Sequence, residues 1–188
     1  MKVETKRKLF CRSLLAVSFS QAGGVPPHEY TNANDEKAVV VSVGKLSVDR
    51  GTESEIEFYS RNGRRLCTLN YASKDGEHGF GVVKAAWTPD SRYFVFSLTS
   101  SGGHQSWHAP TLFYNAKSQA IFSLDEYVTG AGISKGDFTL MAPNTVLTEA
   151  WTGKAVPASF KLSELSTESR SSHRPFSCIA GKVIRPTD

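Results

Sequence analysis

The chain predicts an all-β protein with no substantial helix. Two observations carry that expectation. The first is an internal repeat. Sliding one stretch by 55 positions, without a gap, lays Lys37–Val43 on Arg92–Leu98, Phe58-Tyr59-Ser60 on Phe113-Tyr114-Asn115, and Leu66–Leu69 on Ile121–Leu124. A repeat constrains architecture before any single residue is interpreted. The second is a succession of short apolar runs separated by turn signals, the pattern of strands rather than helices. Eleven Phe, six Tyr and three Trp agree, because flat side chains pack well on a pleated surface.

From the N-terminus, residues 1–22 read as an export signal. Lys2, Lys6, Arg7, Lys8 and Arg12 form a basic start, Ser13–Ser20 a short apolar core, and Ser20-Gln21-Ala22 places small residues before Gly23. A disordered basic arm is the alternative. This segment carries five basic residues and one acid, a net +4 that equals the net charge of the whole chain. The remaining residues are therefore balanced and carry no basic stripe, which speaks against nucleic acid. No stretch is long and apolar enough to span a bilayer. The expected location is periplasmic or secreted.

Residues 23–165 read as a single β-repeat domain of ordinary size. Residues 23–34 are a Gly/Pro/Asn-rich lead-in, poor in strand character because Pro26 and Pro27 cannot donate to a ladder. Strands are expected at 37–43, 55–60, 64–70, 80–87, 92–98, 110–115, 119–124, 136–141, 145–151 and 156–162. Arg61-Asn62-Gly63-Arg64 is a hairpin signal, since Asn and Gly tolerate positive φ. Thr88-Pro89-Asp90-Ser91 is a turn with Pro preset at φ near −65°. A third, shorter copy begins at Ala142-Pro143-Asn144-Thr145, with Ala158–Leu162 echoing Ala120–Leu124. Trp87 and Trp151 are expected in the core. A helix of one or two turns is expected near 123–128, ending before Gly130. Residues 166–188, rich in Ser, Thr, Arg and Pro, form a loosely docked or disordered tail.

Of the three cysteines, Cys11 lies in the leader and Cys67 and Cys178 remain. An even number in an oxidising compartment permits one disulfide. The plainer reading makes Cys67 a small core hydrophobe, because its repeat partner is Phe122.

Ala85-Ala86-Trp87-Thr88-Pro89-Asp90-Ser91-Arg92-Tyr93-Phe94-Val95-Phe96-Ser97 resembles the W-[ST]-P-D-[GS]-R segment of TolB-like and WD-type β-propeller blades. In that family the segment runs from the innermost strand, through a tight turn, into the second. The surrounding run also resembles uncharacterised bacterial exported proteins. The resemblance implies an antiparallel, propeller-like stack of two to three blades, with a β-sandwich or barrel as the alternative. Closed propellers need more blades than that. An open stack leaves sheet edges to be covered by the tail or by a second subunit, which leaves a homo-oligomer open.

The copies differ most in one loop. Copy one has Gly44–Ser54, an ordinary polar loop, where copy two has Thr99–Ala109. Gly102, Gly103, His104, Gln105, Trp107 and His108 are thus not required to close the hairpin, and they are the candidate ligand- or partner-binding residues. Glycines allow close backbone approach, and Trp carries disproportionate weight in recognition. A lid role for Trp107, with its indole N–H bonded to a backbone carbonyl, is the structural alternative. A metal site on His104 and His108 would need a third ligand, from Asp75, Glu77 or His78 in the loop 73–79, or from His28. No helical H-x-x-x-H, C-x-x-C or acidic calcium loop supports a metal, no G-x-S-x-G elbow supports a serine nucleophile, and no cofactor motif is present. Asp125-Glu126 would be a solvated first-turn pair. The expected function is a non-catalytic, exported binding protein whose loop at 99–109 contacts a protein or cell-envelope saccharide. A metal-assisted hydrolase using His104 and His108 is the rival, and a scaffold subunit pairing through an exposed sheet edge is the third reading.

Overall fold

The structure is a computed structural model and describes residues 26–43, 52–102, 108–128, 132–166, 176–179 and 183–184. The export-signal expectation for residues 1–22 lies outside the described residues. The protein is all-β. The strands are β1 His28–Thr31, β2 Lys37–Val43, β3 Glu53–Tyr59, β4 Arg65–Asn70, β5 Phe80–Trp87, β6 Tyr93–Ser100, β7 Thr111–Asn115, β8 Ala120–Ser123, β9 Ile133–Met141, β10 Thr145–Trp151, β11 Ala155–Lys161, β12 Phe176–Ser177 and β13 Val183–Ile184. Among the described residues they form three sheets, β1-β2-β3-β4-β13, β12-β8-β7-β6-β5 and β11-β10-β9, none of them closed into a barrel. Every pairing is antiparallel except β13 with β4. The expected short helix is a 3-10 turn at Leu124–Tyr127.

The sheets stack in series because the middle one is apolar on both faces. Along β6, Phe94, Phe96 and Leu98 enter one core with Ala38, Ile56, Phe58 and Leu69 of the first sheet. The alternate residues Tyr93 and Val95 enter a second core with Ile133, Phe138, Val146 and Phe160 of the third sheet. Successive strand residues point to opposite faces, so one strand serves both cores. A β6 buried over its first six residues is the expected signature of a strand covered on both sides.

The repeat is real in three dimensions. A shift of 55 carries Ala38, Phe58 and Leu69, facing the second sheet, onto Tyr93, Phe113 and Leu124, facing the third. The β3–β4 ladder maps directly, with Phe58 opposite Cys67 becoming Phe113 opposite Phe122. The preceding ladder has slipped. Ala38 stands opposite Phe58, but Val95 rather than Tyr93 stands opposite Phe113. An even slip keeps every side chain on its own face, which is why the apolar pattern survives it.

The turns that join first to second strand also stack. Asn32 Nδ2 donates to the Ser91 carbonyl at 3.1 Å and the Ala33 N–H to Ser91 Oγ at 3.1 Å. One copy further on, the Asp90 N–H donates to the Pro143 carbonyl at 3.2 Å and Asn144 Nδ2 to Asp90 Oδ2 at 2.6 Å. Trp87 packs at the first core, as expected, and its Nε1–H donates to the Tyr30 carbonyl at 3.0 Å.

Several expectations are corrected. The lead-in contains β1, which pairs residue for residue with β2 from His28–Val40 to Thr31–Lys37; the prolines end just before it. Phe160 of β11 stands opposite Val146 of β10, so β11 takes the third-strand place, and the expected equivalence of Ala158–Leu162 with the fourth strand does not hold. Pro157 lies on β11, an edge strand, where a missing N–H is tolerated. Trp151 is half-buried on the face opposite Val146 and Ala150, because β10 alternates and those two take the core positions. For the tail, expected to be loosely docked or disordered, the described pieces take the docked alternative: β12 pairs with β8, and β13 with β4. Cys67 is a buried core residue and is also bonded to Cys178, with Cα atoms 5.5 Å apart, inside the usual range for a disulfide.

Candidate functional site

Of the predicted site residues, Gly102 and His108 are described, whereas Gly103, His104, Gln105 and Trp107 lie outside the described residues. The geometry at the two ends of the loop is nevertheless specific. Each end is tied by a carboxylate from another part of the chain.

At the first end, Ser101 continues from β6. Its N–H donates to the Gly79 carbonyl at 2.9 Å and its hydroxyl to Glu53 Oε1 at 2.8 Å. Glu53, only 2% exposed, also accepts from the Gly79 N–H at 2.7 Å, the Ser73 hydroxyl at 2.7 Å and, on Oε2, the Ser73 N–H at 2.8 Å. No cation takes part in these contacts. Burial pushes the Glu53 carboxyl up, but the donors from Ser73, Ser101 and Gly79 outweigh it and hold it below its ordinary range. Gly79 must be glycine, since a Cβ there would stand 2.4 Å from the Tyr71 carbonyl oxygen and 2.5 Å from Glu53 Cδ.

At the second end, His108 Nε2 lies 2.9 Å from Asp125 Oδ1. Asp125 sits in the 3-10 turn and also accepts from the Ile133 N–H at 2.7 Å and, on Oδ2, the Thr111 N–H at 3.1 Å. It is thus a junction between the loop, the start of β7 and the start of β9, and not the solvated acid expected from its position beside Glu126. Gly132 closes over the pair at φ +108°, where a Cβ would lie 2.3 Å from Asp125 Oδ1 and 2.7 Å from His108 Nε2. The Ala109 N–H then donates to the Ile133 carbonyl at 2.9 Å, carrying the loop end onto the third sheet.

The loop 73–79 lies at the same end of the stack as this site, through Gly79 and Ser73. Its candidate ligands Asp75 and His78 bond each other, Nδ1 to Oδ2 at 2.6 Å. The Glu77 N–H, His78 and Ser73 together hold the Asp75 carboxyl well below its usual range. His28 begins β1, its ring 5.6 Å from that of Tyr30. Among the described residues, no three His, Cys, Asp or Glu side chains gather as a metal-holding group. Both oxygens of Glu53 and of Asp125 are occupied by donors, so these acids hold backbone in place.

Glu53 and Asp125 were not singled out by sequence reasoning. In the sequence Glu53 falls in the ordinary polar loop of copy one, and Asp125 in a short acidic pair. The only signals were the glycines at 79 and 132, whose role is visible only beside the carboxylates. No protein-family model, curated protein or solved structure matches this chain.

Proposed function

We propose that this is an exported, non-catalytic binding protein that contacts a protein or a cell-envelope saccharide through the loop at 99–109. The observation that carries the reading is the fastening of both loop ends, Ser101 to the buried carboxylate of Glu53 and His108 to the half-buried carboxylate of Asp125, each from another element. A loop fixed at its ends loses less freedom when its tip engages a ligand, which favours affinity. Between those ends the sequence supplies Gly103, His104, Gln105 and Trp107, an apolar ring flanked by hydrogen-bonding groups. The Cys67–Cys178 disulfide supports export, because such bonds form and persist in oxidising compartments. The serial stack, with Trp87 ending β5 and Tyr93 opening β6, supports kinship with propeller blades.

The test is capture from a cell-envelope fraction and on a glycan array, using wild type and a variant carrying both His104→Ala and Trp107→Ala. The expected result is a ligand retained by wild type and lost by the folded variant. Undiminished capture by the variant overturns the reading. Zinc bound stoichiometrically to purified protein, and lost with His108→Ala, would favour the hydrolase instead.

A further inference from the structure

We propose that β12 and β13, with Cys178 between them, form a disulfide-latched strap that a dithiol reductant opens without unfolding the stacked sheets. The strap covers two edges at once. β12 lies along β8, the outer strand of the second sheet, through Phe176–Ile121 and Ser177–Ala120. β13 lies along β4, the outer strand of the first sheet, through Val183–Thr68 and Ile184–Leu69. Cys178 sits between the two, its N–H donating to the Gln119 carbonyl at 2.7 Å.

Among the described residues, little else holds these pieces. Each strand has two residues; Phe176 is 43% exposed, Ile179 just after β12 47% and Val183 59%, while Ile184 packs half-buried against the first core. Two-residue pairings with so little buried apolar surface are marginal at best unaided. The covalent bond joins residues 111 apart in sequence and supplies the high local concentration that keeps both strands seated. The rest of the stack has two cores built mainly of residues outside the strap.

The chemistry is thiol–disulfide exchange. Cys178 is the more exposed partner, 6% against 1% for Cys67, so a reductant thiolate attacks its sulfur. Cys67 leaves as a thiolate and takes a proton, and the second thiol of the reductant resolves the mixed disulfide. Two thiols appear on the protein and one disulfide on the reductant. The strap then lifts, and the outer edges of β4 and β8 lose their cover, presenting unpaired backbone groups to any strand that reaches them.

The experiment is hydrogen exchange by mass spectrometry on the full chain, oxidised and after dithiothreitol, with both thiols confirmed by alkylation after quenching. Cys178→Ser is measured without reductant as an independent way of opening the latch. The expected result is a loss of protection of at least about tenfold in peptides covering 176–179 and 183–184, with β6 unchanged, as for a local opening unit. Full protection of the strap in reduced protein overturns the proposal. Loss of protection in β6 in step with the strap overturns it too, because the bond would then be holding the whole fold.

Discussion

Replacing Glu53 with alanine removes the acceptor from four donors, and the structure shows which of them suffer. The Ser101 hydroxyl has the Gly79 carbonyl at 3.1 Å as a second acceptor, and the Ser73 hydroxyl has Asp75 Oδ1 at 2.9 Å. The backbone N–H groups of Gly79 and Ser73 donate to Glu53 and are left without it. An orphaned buried donor costs about 1–3 kcal/mol; the Gly79 N–H is buried and the Ser73 N–H half-buried, which together place Glu53→Ala at about 3 kcal/mol of lost stability. For a chain of this size that is a fall in Tm of about 6–12 °C. Glu53→Gln keeps a carbonyl for the Oε1 donors but sets an amide against the Ser73 N–H, and is expected to cost about half as much. Guanidinium titration followed by tryptophan fluorescence measures both. The pH dependence gives a second check. The folded carboxyl sits below its ordinary value, so its stabilisation is present above about pH 4.3 and is lost as pH falls through the folded value. The gap between wild type and Glu53→Gln therefore narrows in acid. A Glu53→Ala protein within about 0.5 kcal/mol of wild type would refute the reasoning, since surface substitutions cost no more than that.

Further outcomes follow from other sites. Phe113→Ala empties a fully buried position stacked on Phe122 at 4.9 Å and is expected to cost about 3–5 kcal/mol by chemical denaturation. Gly132→Ala forces a Cβ into Asp125 and His108 at positive φ, so thermal melting should fall and the Ile133 amide should lose exchange protection. Trp87→Phe keeps the ring contact with Phe94 but loses the bond to the Tyr30 carbonyl, a loss of about 1 kcal/mol in denaturation. Lys84→Ala breaks an ion pair with Asp137 whose side chains are 42% and 79% exposed, and the unfolding midpoint should barely move.

Much of the scaffold was legible in local sequence. The expected strands at 37–43, 80–87 and 145–151 match β2, β5 and β10 end to end, because each is a short, mainly apolar run bounded by turn residues. The hairpin at Asn62-Gly63 forms with only Gly63 at positive φ, +77°. β1 was missed because Pro26 and Pro27 masked a strand of four residues, and β12 and β13 because two residues carry no period. The candidate loop begins two residues later than expected, because Thr99 and Ser100 continue β6, and the residues that hold its ends were not found. Glu53 lies 48 positions from Ser101, and Asp125 17 positions from His108.

By itself the sequence determined the all-β class and the duplication, since short apolar runs and turn chemistry act over neighbouring residues; which residues of β6 enter which core came from the stacking of the sheets. Only the tertiary structure decided the pairing of Cys67 with Cys178, the docking of the tail on two sheet edges and the carboxylate ties at the loop ends. Those features depend on groups brought together from distant parts of the chain, where a carboxylate or thiol takes its role from the donors and sulfur that folding sets beside it and leaves no mark in the residues next to it.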